Sequence, residues 1–111
     1  MKESHVIKAI VDYLELRRII YIRFHPVKPF NDRMGKLRFS KVRPSQLGAP
    51  DLIIFPKDNP PRCLAVECKS DRGRQTPEQK RWQEVIELTG GAYMIARSPD
   101  EVMRVLNHQR E

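Results

Sequence analysis

The chain has 111 residues and a formal charge of +7 at neutral pH. That length suits one domain, 1–111, with one core that buries about 65% of its unfolded surface. The longest apolar run is too short for a bilayer and the N-terminus does not read as a secretory signal, so the cytoplasm is the expected compartment and no membrane partner is expected. Cys63 and Cys68 lie five apart on one expected strand and cannot reach each other as a disulfide, and no Cys/His spacing suits zinc. The charge is uneven. Met1 to Pro50 carries eleven Lys and Arg against four Asp and Glu, whereas the remainder carries ten of each. The basic residues Arg17, Arg18, Arg23, Lys28, Arg33, Lys36, Arg38, Lys41 and Arg43 are opposed between them only by Asp32. Such a segment either solubilises the fold or holds a polyanion such as a nucleic-acid backbone.

Met1 to about Arg18 predicts an amphipathic helix, because Glu3, Ile7, Ile10 and Leu14, with Val6 and Val11 beside them, fall at helical spacing. Glu3 therefore extends the apolar stripe. It is either a helix-dipole residue or a carboxylate facing a site. Ile19 to Phe24 predicts the first strand, ended by Pro26 and Pro29. Val27 to Ala49 lacks periodicity and reads as a long connection holding one weak strand near Leu37 to Val42. Gly48 either permits a sharp turn or lets the backbone approach a phosphate.

Leu52 to Phe55 and Leu64 to Cys68 predict two strands, separated by the turn residues Lys57 to Pro61. A hairpin about Asn59 places Asp51 opposite Glu67, with Cα atoms roughly 4.5–5.5 Å apart and side chains on one face. Lys69 points the same way. Two carboxylates at that spacing repel by about 3 kcal/mol at an effective dielectric near 20, so something positive belongs between them. The pair is either a cross-strand couple on a solvated face, helped by Lys69, or the oxygen ligands of a hard divalent cation, Mg²⁺ or Mn²⁺. Leu52 to Phe55 is apolar on both faces, which predicts a central strand covered on both sides and makes the Glu67 face a cleft.

Thr76-Pro77-Glu78-Gln79 is a helix start with a capping box, and Gly90-Gly91 is the stop. Trp82, Val85, Ile86 and Thr89 are the expected buried stripe. Gln79 lies on their side and either completes the box or points at the group beside Lys69. Ala92 to Ala96 predicts the last strand, and Ser98 to Glu101 opens a final helix through a second capping box, with Val102, Val105 and Leu106 inward.

In this order, the leading Glu3, Gly48-Ala49-Pro50-Asp51, Glu67-Cys68-Lys69, the loop with Gly73, Thr76 to Gln79 followed by Trp82, and Gly90-Gly91 resemble the VRR-NUC (virus-type replication-repair nuclease) domain. That family lies within the PD-(D/E)xK nuclease superfamily. The resemblance implies an α/β, restriction-endonuclease-like fold, a mixed central sheet flanked by helices in the order α-β-β-β-α-β-α. It implies Mg²⁺- or Mn²⁺-dependent cleavage of DNA, with Asp51, Glu67 and the Cys68 carbonyl as metal ligands and Glu3 as an outer acid, direct or through water. Lys69 becomes the catalytic lysine and Gln79 the helix residue beside it. It further implies a homodimer acting on branched or junction DNA, similar to the resolvases of phage and mobile-element replication and repair. A non-catalytic nucleic-acid-binding module of the same fold and an RNA-cleaving nuclease are the alternatives.

Overall fold

In the computed structural model, which describes residues 2–24, 29–39, 46–57 and 62–108, α1 runs from Glu3 to Arg17. Val6, Ile10 and Leu14, spaced four apart, are fully buried along its inner face. The helix stops at Arg18, which takes a left-handed conformation at φ 58° and donates its N–H to the Leu14 and Glu15 carbonyls. The chain then turns back into β1 (Ile20–Arg23).

β1 is the edge of a four-stranded sheet with β4 (Leu52–Phe55), β5 (Leu64–Cys68) and β6 (Ala92–Ala96) in the order β1-β4-β5-β6. The first two pairings are antiparallel and β5 pairs with β6 in parallel through the crossover helix α2 (Pro77–Leu88). Leu52 pairs with Val66 and Ile54 with Leu64, a register centred on residue 59 as expected. Asn59 itself lies outside the described residues. The helix α3 (Pro99–His108) follows β6.

Leu52, Ile54, Leu64, Val66 and Cys68 form one sheet face and pack with Val6, Ile10 and Leu14 of α1 and Val102 and Leu106 of α3. Alternation therefore turns Ala65 and Glu67 to the opposite face, where α2 covers them. The strand buried along its whole length is β5. β4 departs from the expectation of full cover, since Phe55 is exposed and Ile53 half-buried. α2 rests over the β5–β6 half, leaving Ile20, Ile22 and Phe55 of the β1–β4 half in solvent. The same placement corrects the expected stripe on α2. Gln79 and Ile86 are buried, whereas Val85 and Thr89 face solvent.

The connection between β1 and β4 holds more structure than one weak strand. β3 (Leu37–Phe39) pairs antiparallel with β2 (Pro29–Asn31) as a separate two-stranded sheet. Asp32 makes the turn, its carboxylate accepting from the Met34 and Lys36 N–H groups, with Gly35 at φ 77°. Pro29 concealed β2, although proline is tolerated at the first residue of a strand. At the start of α3, Glu101 caps the N–H of Arg97, one residue before the Ser98 position expected of a capping box. Among the described residues, no helix is long and apolar enough to cross a membrane.

Candidate active site

Asp51 closes the turn that enters β4, and Glu67 and Lys69 stand at the end of β5. Continuing the Leu52 to Val66 register by one residue sets Asp51 against Glu67. The Asp51 carboxylate accepts a 2.7 Å hydrogen bond from the Cys68 N–H, which ties it to the last turn of β5. Glu67 is only 5% exposed. Its Oε1 accepts from the Gln79 amide at 2.5 Å and lies 3.8 Å from the Lys69 ammonium. Its Oε2 is buried with no hydrogen-bond partner.

Gln79 serves both of its expected roles. Its side-chain oxygen accepts from the Thr76 N–H at 2.8 Å, and its own N–H donates to the Thr76 hydroxyl, completing the capping box. That leaves the amide nitrogen for Glu67. The helix start therefore fixes one carboxylate oxygen of the site, which is why this Gln is buried.

Burial, and then the neighbouring Asp51 carboxylate, push the Glu67 carboxyl up to about 8, against the opposing pull of Lys69. Asp51 is raised as well, by burial first, while the Cys68 N–H draws it down. Burial and the same acids push the Cys68 thiol up to about 12, which removes it as a nucleophile at neutral pH. Ionising both carboxyls together is thus costly in this site, and Lys69 offsets that cost only in part. A buried carboxylate oxygen without a partner costs about 1–3 kcal/mol unless something binds it.

These donors fit a hard divalent cation: two carboxylates, one with a buried oxygen that no protein group uses. Glu3 stands at the rim, exposed, its Oε1 accepting from the Ser70 N–H at 3.4 Å. Its charge raises both Asp51 and Glu67. Among the described residues, no three His, Cys, Asp or Glu side chains gather as a ligand set, so the acids placed together are two, with Glu3 outside them.

The turn before Asp51 is locked onto α2. Gly48 has φ 86°, and a Cβ there would lie 2.6 Å from the Glu78 Cβ and 2.9 Å from the Gln79 nitrogen. The Trp82 indole donates to the Leu47 carbonyl at 3.0 Å. Gly48 thus allows a close approach of the turn to the helix that carries Gln79. Arg97 is a further residue that sequence reading missed. Its guanidinium donates at 2.6 Å to the Ser70 carbonyl and braces the loop after Lys69. The contact arises from the parallel pairing of Cys68 with Ala96, which sets the residues leaving β5 and β6 side by side and leaves no local signal in the sequence.

Among the described residues, the expected basic side chains are spread over several parts of the fold. Arg23 ends β1 beside it, where the Phe24 N–H meets the Asp51 carbonyl. Arg17 and Arg18 lie at the opposite end of α1 from Glu3, about 22 Å away along the helix. Arg17 stacks over Tyr13 and bonds Asn107 of α3. Arg33 and Lys36 are exposed in the β2–β3 hairpin. Lys28, Lys41 and Arg43 lie outside the described residues, as does the side chain of Arg38.

A family model of the VRR-NUC domain matches residues 25–100. No curated protein matches the chain. Two solved structures share its fold. One, a VRR-NUC domain, is 21% identical with a TM-score of 0.61 over 97% of each chain. The other, a VRR-NUC domain protein, is 21% identical with a TM-score of 0.63, covering 98% of this chain and 88% of that one. With an α/β restriction-endonuclease-like fold and a family match across most of its length, the chain belongs to the VRR-NUC family of nuclease-type domains.

Proposed function

We propose that this chain is a Mg²⁺- or Mn²⁺-dependent, structure-selective DNA endonuclease of the junction-resolving kind, acting as a homodimer in phage or mobile-element replication and repair. The observation that carries the catalytic part is Glu67, which keeps one oxygen for Gln79 and Lys69 and buries the other unpartnered beside Asp51. Asp51, Glu67 and the Cys68 carbonyl would hold the ion, with Glu3 reaching it through water. When bound, the ion would supply Lewis acidity toward a phosphate oxygen and toward water.

The protein groups divide the remaining work. Gln79 fixes the rotation of the Glu67 carboxylate, so that the orientation is set before substrate arrives. Lys69, next to that carboxylate, orients the attacking water against the phosphorus and offsets the charge that builds on the phosphoryl oxygens. The water oxygen bonds to phosphorus as the P–O bond to the leaving oxygen breaks; the water's proton passes to solvent and the leaving oxygen takes one up from solvent, giving a phosphomonoester and a free hydroxyl. The junction and dimer parts rest on the family resemblance and on the need of paired strand cuts for two sites, which two-fold pairing supplies.

A labelled four-way junction incubated with Mg²⁺ or Mn²⁺ tests the proposal. Wild type cuts it, and Glu67→Ala and Lys69→Ala cut about 10²- to 10⁴-fold more slowly. Equal cutting by all three would overturn the assignment, and binding without cutting would leave a non-catalytic module. The same junction made in RNA separates the two backbone chemistries.

A further inference from the structure

Outside the acidic centre, one open depression gathers polar and cationic side chains from two distant segments. It holds about 560 Å³ and is lined by Lys2 and His5 at the start of α1 and by Ser70, Asp71 and Arg72 in the loop after β5. None of these residues belongs to the basic segment before Asp51. The loop is braced from three sides. Ser70 offers its carbonyl to Arg97 and to the Gly73 N–H, and its own N–H to Glu3. A wall held in this way loses little freedom when a ligand arrives.

We propose that this depression seats a backbone phosphodiester of the nucleic-acid strand being cut, a neighbour of the phosphate at Lys69. The inference rests on the nuclease reading of the site. Lys2 and Arg72 are fixed positive charges, Asp71 is the one carboxylate in the lining, and the His5 imidazole and Ser70 hydroxyl add donors. Glu3, held by the Ser70 N–H, is a second acid beside the lining, so a phosphodiester is favoured here by the directed donors of the Arg72 guanidinium and the Lys2 ammonium and not by an excess of charge. Ser70 directly follows Lys69, and a duplex strand carries a phosphate for every 3.4 Å or so of axis. A strand that presents a phosphate to Lys69 therefore brings the next ones past Ser70 to Arg72. Contacts of this kind set register and carry no base preference.

Fluorescence anisotropy of a labelled DNA junction in EDTA, over a salt series, tests the subsite without cleavage. The double variant Lys2→Ala with Arg72→Ala is compared with the charge-matched Lys80→Ala with Arg104→Ala, whose side chains are exposed on α2 and α3. The first pair is expected to weaken binding at least tenfold and to flatten the slope of log affinity against log salt by about 1.8, which is ~0.9 for each lost contact. The control pair leaves the slope unchanged. An unchanged slope in the first pair, or equal losses in both, overturns the subsite. Cleavage by wild type in Mn²⁺ is read separately. A flattened slope in a protein that never cuts would keep the subsite as a nucleic-acid contact while removing the catalytic reading.

Discussion

Raising the pH in the absence of metal isolates the cost of ionising Glu67. A glutamate ordinarily near 4.5 is held at about 8 here, so between those values the folded chain binds more protons at this position than the unfolded one. Stability from this group is complete below about pH 4.5 and is lost as the pH climbs through about 8. The difference of 8 less 4.5, at about 1.4 kcal/mol per pH unit, sets a ceiling of about 5 kcal/mol. Solvent screening around the partly open site reduces this to on the order of 3 kcal/mol. At roughly 4 °C per kcal/mol for a domain of this size, the melting temperature should fall by about 12 °C across the window. Differential scanning fluorimetry in EDTA reads it directly. Glu67→Gln keeps the shape, removes the ionisation and flattens the profile, so that it melts well above wild type at the alkaline end. Mn²⁺ restores wild type but leaves Glu67→Gln little changed. Wild-type stability that rises with pH, or an equal slope in Glu67→Gln, would refute the reasoning.

Gly48→Ala should lose about 2–4 kcal/mol from left-handed strain and the contact with Glu78, and lower cleavage as Gln79 is displaced; thermal melts and rates check both. Gln79→Ala should melt lower by the loss of its capping and Glu67 bonds, about 2 kcal/mol, with most of its kinetic loss in kcat rather than KM. Sedimentation at micromolar concentration should show a dimer, and a monomer that still resolves junctions would count against pairing.

The acidic pair was legible because a hairpin's register follows from its centre, and Lys57 to Pro61 mark that centre. The capping box was legible for the same local reason. Gln79 resisted a single reading because a side-chain amide has two ends, and the fold uses the oxygen for Thr76 and the nitrogen for Glu67. Residues placed by distant contacts were invisible. Arg97 meets Ser70 through the β5–β6 pairing, and Lys2 and His5 share a depression with Arg72 only because the start of α1 lies beside the loop after β5. The exposed Val85 was missed because helical spacing identifies a stripe but not how wide a sheet lies beneath it.

The central claim is that Asp51 and Glu67 hold one divalent ion between them, and calorimetric titration of the metal-free protein with Mn²⁺ tests it most directly. The account predicts saturable binding that releases protons near neutral pH, as the raised Glu67 carboxyl ionises, and its loss in both Asp51→Asn and Glu67→Gln. Equal Mn²⁺ binding by wild type and both variants would contradict it.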